Sequence, residues 1–212
     1  MVRAALAPTL DWERWLWQRG YRLVAGVDEA GRGALAGPLV AAAVVLPPDT
    51  PLPAELAPLR DSKALSPELR ERLAAAIAAC ALAIGVAVVP ADLIDAVGIA
   101  AAGQLALARA VSALSVTPAA LLTDAFRIRA VPQPQIALVQ GDARCCSVAA
   151  ASVIAKVTRD RLMCALHLDY PAYGFDRHKG YGTAAHQAAL RRHGPCALHR
   201  RSFAPVRDVC LR

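Results

Sequence analysis

The sequence has no C-x-x-C pair, no histidines and carboxylates at zinc spacing, no internal repeat, and only 5% aromatic residues. Its six cysteines (Cys80, Cys145, Cys146, Cys164, Cys196, Cys210) are even in number, but Cys145 and Cys146 are adjacent, a poor disulfide geometry, and the others are scattered. That pattern argues against a secreted disulfide scaffold; reduced thiols in a cytoplasmic protein are expected. The first residues carry Asp11 and Glu13 and lack the apolar core of a secretion signal. The charge-free run Leu73–Val89 is short for a membrane span, which takes about 20 residues. It is interrupted by Gly85 and followed by Pro90, so it reads as a helix running into a buried strand, and no membrane contact is expected.

The 212 residues are 56% apolar and 19% charged, which suits one domain with a core and excludes the disordered class. The chain holds 24 basic and 17 acidic side chains, for a net charge of +7. Residues 1–106 carry 9 basic against 11 acidic groups, whereas residues 107–212 carry 15 against 6. The excess therefore lies in the second half, which points to a polyanion held there.

Strands are expected at Tyr21–Asp28, Leu39–Leu46, 82–89, Ala119–Asp124 and Ile136–Gln140, from short apolar runs, valine-rich in the second, bounded by Gly, Pro or charge. Ser66-Pro67-Glu68 starts a helix, Asp92–Ala113 reads as helix broken at Gly98, Ser147–Leu168 as one long helix, and Thr183 caps a last one ending at Gly194. This order predicts an α/β fold, a mixed sheet flanked by helices in a single domain over 1–212.

Three of the expected strands lead into carboxylates: Asp28 and Glu29, Asp124, and Asp142 in the loop after the last strand. Sites in α/β sheets are built beyond the carboxyl ends of strands. Carboxylates gathered there repel unless cations hold them, and all-oxygen donors suit Mg²⁺ or Mn²⁺, with two ions about 4 Å apart serving phosphodiester hydrolysis. Spacing alone leaves other readings open: Asp142 as a helix cap, Asp124 as a turn residue, Asp28-Glu29 as a solvated loop. Gly31-Arg32-Gly33 follows directly. Its glycines misfit the dinucleotide fingerprint but suit a loop whose backbone approaches a ligand closely.

The run Val24-Ala-Gly-Val-Asp28-Glu29-Ala-Gly31-Arg32-Gly33-Ala-Leu-Ala-Gly37-Pro38 resembles the first block of type 2 ribonuclease H, the ribonuclease HII family. Asp61-Ser62-Lys63, Gly141-Asp142, Ala149 to Asp160, Tyr170 to Phe175, His178-Lys179-Gly180-Tyr181 and His199 to Phe203 resemble later blocks, in order. The resemblance implies a ribonuclease H-like fold with a five-stranded mixed sheet. It implies cleavage of the RNA strand in RNA–DNA hybrids and on the 5′ side of single ribonucleotides in duplex DNA, with Mg²⁺ or Mn²⁺ on Asp28, Glu29, Asp124 and Asp142. Gly31, Arg32 and Gly33 would read the 2′-hydroxyl, Tyr181 would pack on the next deoxyribose, and Lys63, Arg177 and Lys179 would contact phosphates. Residues 170–212 would form a basic substrate-binding segment. Two departures stand out: Thr123-Asp124-Ala125 where the family often has Val-Asp-Gly, and Gln140-Gly141-Asp142 where it often has Lys-Gly-Asp. Both keep the carboxylate, and Arg191, Arg192, Arg200 and Arg201 are expected to compensate for any weaker grip. His186 and His193 read as surface or capping residues. A monomer without a sliding-clamp motif is expected. The competing readings are another ribonuclease H-fold nuclease, such as a resolvase, and a non-catalytic nucleic-acid-binding module.

Overall fold

The computed structural model describes residues 7–210, so the extremes of the expected 1–212 domain, residues 1–6 and 211–212, lie outside the described residues. In chain order the elements are α1 (Asp11–Trp17), β1 (Val24–Ala30), β2 (Leu39–Val45), α2 (Pro67–Cys80), β3 (Ala83–Val89), α3 (Ala91–Val97) and α4 (Ile99–Ser112). There follow β4 (Ala120–Asp124), β5 (Gln135–Leu138), α5 (Cys146–Asp169), α6 (Phe175–His178), α7 (Ala184–His193) and α8 (Ala204–Cys210).

The five strands form one sheet in the order β3-β2-β1-β4-β5. β2 is antiparallel to both β1 and β3, while β1, β4 and β5 run parallel. β2 is buried at every position, which is why it reads as a continuous apolar run rather than an alternating one. Strand alternation sends Val24, Ala42, Val44 and Leu122 toward α5 and α2, and Ala25, Val27, Ala41, Ala43 and Leu121 toward α4. Small residues let both helices press against the sheet: a Cβ on Gly26 would lie 2.1 Å from the Ser147 carbonyl carbon of α5, and one on Gly85 2.1 Å from the Ala110 carbonyl oxygen of α4.

Local signals account for the helix starts. Ser66 Oγ accepts from the Leu69 N–H at 3.2 Å with Pro67 in the first turn, and Thr183 Oγ1 accepts from the His186 N–H at 3.2 Å. Gly98, at φ +78°, separates α3 from α4. The start of α5 is held from a distance. Glu13, fully buried on α1, accepts from the Ser147 N–H at 2.8 Å and from its hydroxyl at 2.7 Å, placing a carboxylate at the positive end of the helix.

Two strands depart from expectation. β1 continues through Asp28 and Glu29 to Ala30, because Glu29 and Ala30 still pair with Ala41 and Val40 of β2. β5 ends at Leu138: Val139 is 72% exposed, and Gln140 takes φ +56° and turns the chain. All six cysteines are free. Among the described residues no helix is long and apolar enough to cross a membrane.

Candidate active site

Because β1, β4 and β5 are parallel, their carboxyl ends lie together. Asp28 and Glu29 sit near the end of β1, Asp124 is the last residue of β4, and Asp142 lies in the single 3-10 turn that follows β5. Asp28 shares the parity of Gly26 and faces α5. Glu29 faces the other side and meets Arg32 at 3.3 Å. Backbone donors fix two of the carboxylates. The Glu29 N–H donates to Asp28 Oδ1 at 2.7 Å, and the Gly141 N–H to Asp124 Oδ1 at 2.8 Å.

The carboxylates act on one another electrostatically. Burial first, then the Glu29 and Asp124 charges, hold the Asp28 carboxyl well above its usual range. Burial, Asp61 and Asp124 push Asp142 up to about 6, and burial also raises Glu29 against the opposing pull of Arg32. Burial works against the Lys63 ammonium, but Asp61, Asp142, Asp28 and Asp124 outweigh it and raise its pKa. Lys63 thus belongs to the acidic group as its counter-charge. Asp61, whose charge raises Asp142 and which accepts from the Lys63 N–H at 3.0 Å, is a fifth carboxylate that sequence reasoning passed over, although it lies in a recognised block. Among the described residues no three His, Cys, Asp or Glu side chains close into a ready-made metal-binding group. Asp28 and Asp124 turn an oxygen onto backbone N–H groups, and Glu29 turns one onto Arg32.

The other expected residues occupy a second sector. Arg177, Lys179 and Tyr181 line a cleft of about 640 Å³ together with Lys156, Asp160 and Arg161. Lys156 and Arg70 are paired with Asp160, at 2.7 and 3.6 Å. Lys179 Nζ folds onto the Asp176 carbonyl, and Arg177 is exposed. Main-chain bonds join the sectors: the N–H groups of Leu35 and Ala36, just beyond Gly31-Arg32-Gly33, donate to the Gly180 carbonyl at 2.8 and 3.2 Å.

Two expectations for the C-terminal segment need correction. Arg200 is fully buried and cannot touch phosphate; it and buried Arg159 donate six hydrogen bonds to main-chain carbonyls. At about 1.5–3 kcal/mol for each bond to a charged group, these offset the several kcal/mol that burying each guanidinium costs. Burial and the neighbouring Arg159 bring the Arg200 pKa down to about 9.

His186, expected at the surface, is buried in a chain of hydrogen bonds. His199 Nδ1 accepts from the Cys196 N–H at 3.1 Å, which leaves its Nε2–H to donate to His186 Nε2 at 3.1 Å. His186 then donates from Nδ1 to the Tyr181 carbonyl at 3.0 Å. Both rings are neutral in this arrangement. Burial first, then His186, pushes His199 down to about 4, and burial lowers His186 too.

A histidine whose folded pKa is depressed contributes stability that is lost as pH falls from its ordinary 6.5 toward about 4, because the unfolded chain takes the proton first. The raised carboxylates act in the opposite sense, so the histidine contribution is read by difference. Wild type is expected to lose up to about 3 kcal/mol more than His199→Gln over that window in denaturant unfolding; equal pH slopes would contradict it.

The ribonuclease HII family model matches residues 25–206. The chain belongs to the ribonuclease HII family. The ribonuclease HII of Geobacillus kaustophilus is 57% identical over 200 residues, covering 94% of this chain and 75% of that one. That of Chloroflexus aurantiacus is 52% identical over 207 residues, 97% of this chain and 98% of the relative. Among solved structures, the ribonuclease H2 of Pyrococcus horikoshii superposes with a TM-score of 0.74 at 27% identity, covering 88% of this chain and 96% of that one. The expected ribonuclease H-like fold with its five-stranded mixed sheet is therefore present. As a ribonuclease HII family member the chain is a ribonuclease H, a hydrolase of the RNA strand in RNA–DNA hybrids.

Proposed function

We propose that this ribonuclease H requires Mg²⁺ or Mn²⁺ and also cuts duplex DNA on the 5′ side of a single embedded ribonucleotide, leaving 5′-phosphate and 3′-hydroxyl ends. The observation that carries the proposal is the meeting of Asp28, Glu29, Asp124 and Asp142 at the ends of three parallel strands, where the Glu29 and Asp124 charges raise the Asp28 carboxyl and the Asp124 charge raises that of Asp142. The donor set fits a hard divalent cation: every donor is a carboxylate oxygen, Asp28 and Asp142 are buried, and Lys63 and Arg32 stand beside them as counter-charges. These four residues would hold the cation, which would supply Lewis-acid stabilisation of charge building on the phosphate.

The remaining work falls to the chain itself. Lys63 lies where it can meet a phosphate oxygen at the carboxylate cluster. Gly31, Arg32 and Gly33 offer main-chain groups and one guanidinium to the 2′-hydroxyl, the group that separates RNA from DNA. The Tyr181 ring, backed by Arg159 at 5.1 Å and Lys156 at 5.3 Å, offers a flat face to the next sugar, which has room for a deoxyribose. Arg177 and Lys179 continue the phosphate track along the cleft, in a basic segment over residues 170–212 from which Arg200 is excluded.

The test is a panel of an all-DNA duplex, a continuous hybrid and a duplex with one ribonucleotide, each with Mg²⁺, Mn²⁺ or chelator. Cleavage of the last two substrates only, abolished by chelator, is expected. Tyr181→Ala should slow the single-ribonucleotide substrate most, whereas equal losses on it and the hybrid would count against the sugar-packing role.

A further inference from the structure

Arg159 ties together the two elements that the proposed reading assigns to substrate selection, and Arg200 braces the first of them. From α5, Arg159 donates through Nε to the Pro38 carbonyl at 2.8 Å, through Nη2 to Ala36 at 3.1 Å, and through Nη1 to Lys179 at 2.9 Å. Its guanidinium lies 5.1 Å from the Tyr181 ring. Arg200 donates through Nη1 to the carbonyl of Arg32, the centre of the glycine-flanked loop, at 3.0 Å, and through Nε and Nη2 to Gly37 at 3.1 and 2.9 Å. One guanidinium therefore spans from the loop's downstream arm to the residue leading into Tyr181, and the other spans the loop itself.

The glycines are shaped to this arrangement. A Cβ on Gly31 would lie 2.0 Å from Arg159 Nε, and one on Gly180 2.3 Å from the Ala36 carbonyl oxygen, and both residues have positive φ. The close approach of loop, guanidinium and tyrosine block thus tolerates no side chain at either position. A planar fork with fixed donor directions registers the two segments; a lysine ammonium, a point charge on a flexible stem, cannot reach carbonyls of both at once.

We propose that Arg159 and Arg200 are positioning residues for substrate choice, Arg200 fixing the shape of the Gly31-Arg32-Gly33 loop and Arg159 its separation from Tyr181, so that a ribonucleotide followed by a deoxynucleotide is preferred over continuous RNA. This rests on the junction reading given above. A 2′-hydroxyl probe and a sugar-facing ring select a junction only when held one nucleotide step apart, and displacement of either blurs the distinction.

The test compares kcat/KM on a single-ribonucleotide duplex and on a continuous hybrid for wild type, Arg159→Lys, Arg200→Lys and Tyr181→Ala. The ratio of the two values does not depend on how much of a preparation is folded, so it remains readable for a destabilised variant; Arg159→Gln and Arg200→Gln serve where a lysine variant yields no soluble protein. The expected result is a fall in the junction-to-hybrid ratio of about tenfold or more in the arginine variants, the scale set by misplacing a contact by about 1 Å. A purely structural role lowers both rates by one factor and leaves the ratio at its wild-type value; that result would overturn the proposal. If Tyr181→Ala shifts the ratio and the arginine variants do not, the positioning role fails while the junction reading stands. If Tyr181→Ala leaves it unmoved, the junction reading itself fails.

Discussion

Asp142→Asn is expected to lower turnover by about 10³-fold, roughly 4 kcal/mol of transition-state stabilisation, while the melting temperature of the cation-free protein stays level or rises. The two effects have one cause. Asp142 is only 7% exposed, and burial together with Asp61 and Asp124 raises its carboxyl to about 6. Its folded pKa lies above the ordinary 3.8, so without cations its contribution to stability is best below that value and declines as pH rises from about 4 to about 6. The amide keeps the shape, removes that penalty and cannot supply the charge a bound cation needs. Single-turnover cleavage and thermal melting in chelator check both halves. Near-wild-type cleavage by Asp142→Asn would remove it from the site, and a large drop in melting temperature would show that the residue is chiefly structural.

The second large effect is on folding. Gly26→Ala is expected to cost about 3 kcal/mol or more, and in a domain of ordinary marginal stability to leave much of the protein unfolded or insoluble. The added Cβ would lie 2.1 Å from the Ser147 carbonyl carbon and 2.3 Å from the Val148 nitrogen. Both are backbone atoms at the start of α5, so no side-chain rotation relieves the contact. β1 carries Asp28 and Glu29, and α5 carries Ser152 and Arg159, so any separation of the two also opens the site. Urea unfolding with wild-type stability in Gly26→Ala would show that β1 and α5 are not in that close contact.

What the sequence disclosed follows from how locally each feature is determined. The strands at 39–46 and 82–89 were legible because buried strands are valine-rich and bounded by proline, and the helix starts at Ser66 and Thr183 because a cap is a short-range signal. Asp28, Glu29, Asp124 and Asp142 were legible because each stands at a strand end or just beyond it, and topology does the rest. Arg200 and His186 were misread as surface groups: nothing within a few residues announces that main-chain carbonyls from 32 and 37, or a His199 ring thirteen residues on, will enclose them. Asp61 was overlooked because Asp142 is brought beside it only by the fold. The short helices Phe175–His178 and Ala204–Cys210 carry no amphipathic pattern long enough to read.

The central claim is that the carboxylate group at the strand ends hydrolyses the phosphodiester preceding a ribonucleotide with the help of a divalent cation. The most direct measurement is end-group analysis, by mass spectrometry, of the products from a duplex with one ribonucleotide, incubated with Mg²⁺ or Mn²⁺ and with chelator. A single cut on the 5′ side of the ribonucleotide is predicted, with a 3′-hydroxyl on the upstream DNA, a 5′-phosphate on the ribonucleotide, and no product in chelator. A cut on the 3′ side ending in a 2′,3′-cyclic phosphate, or cleavage that persists in chelator, would contradict it.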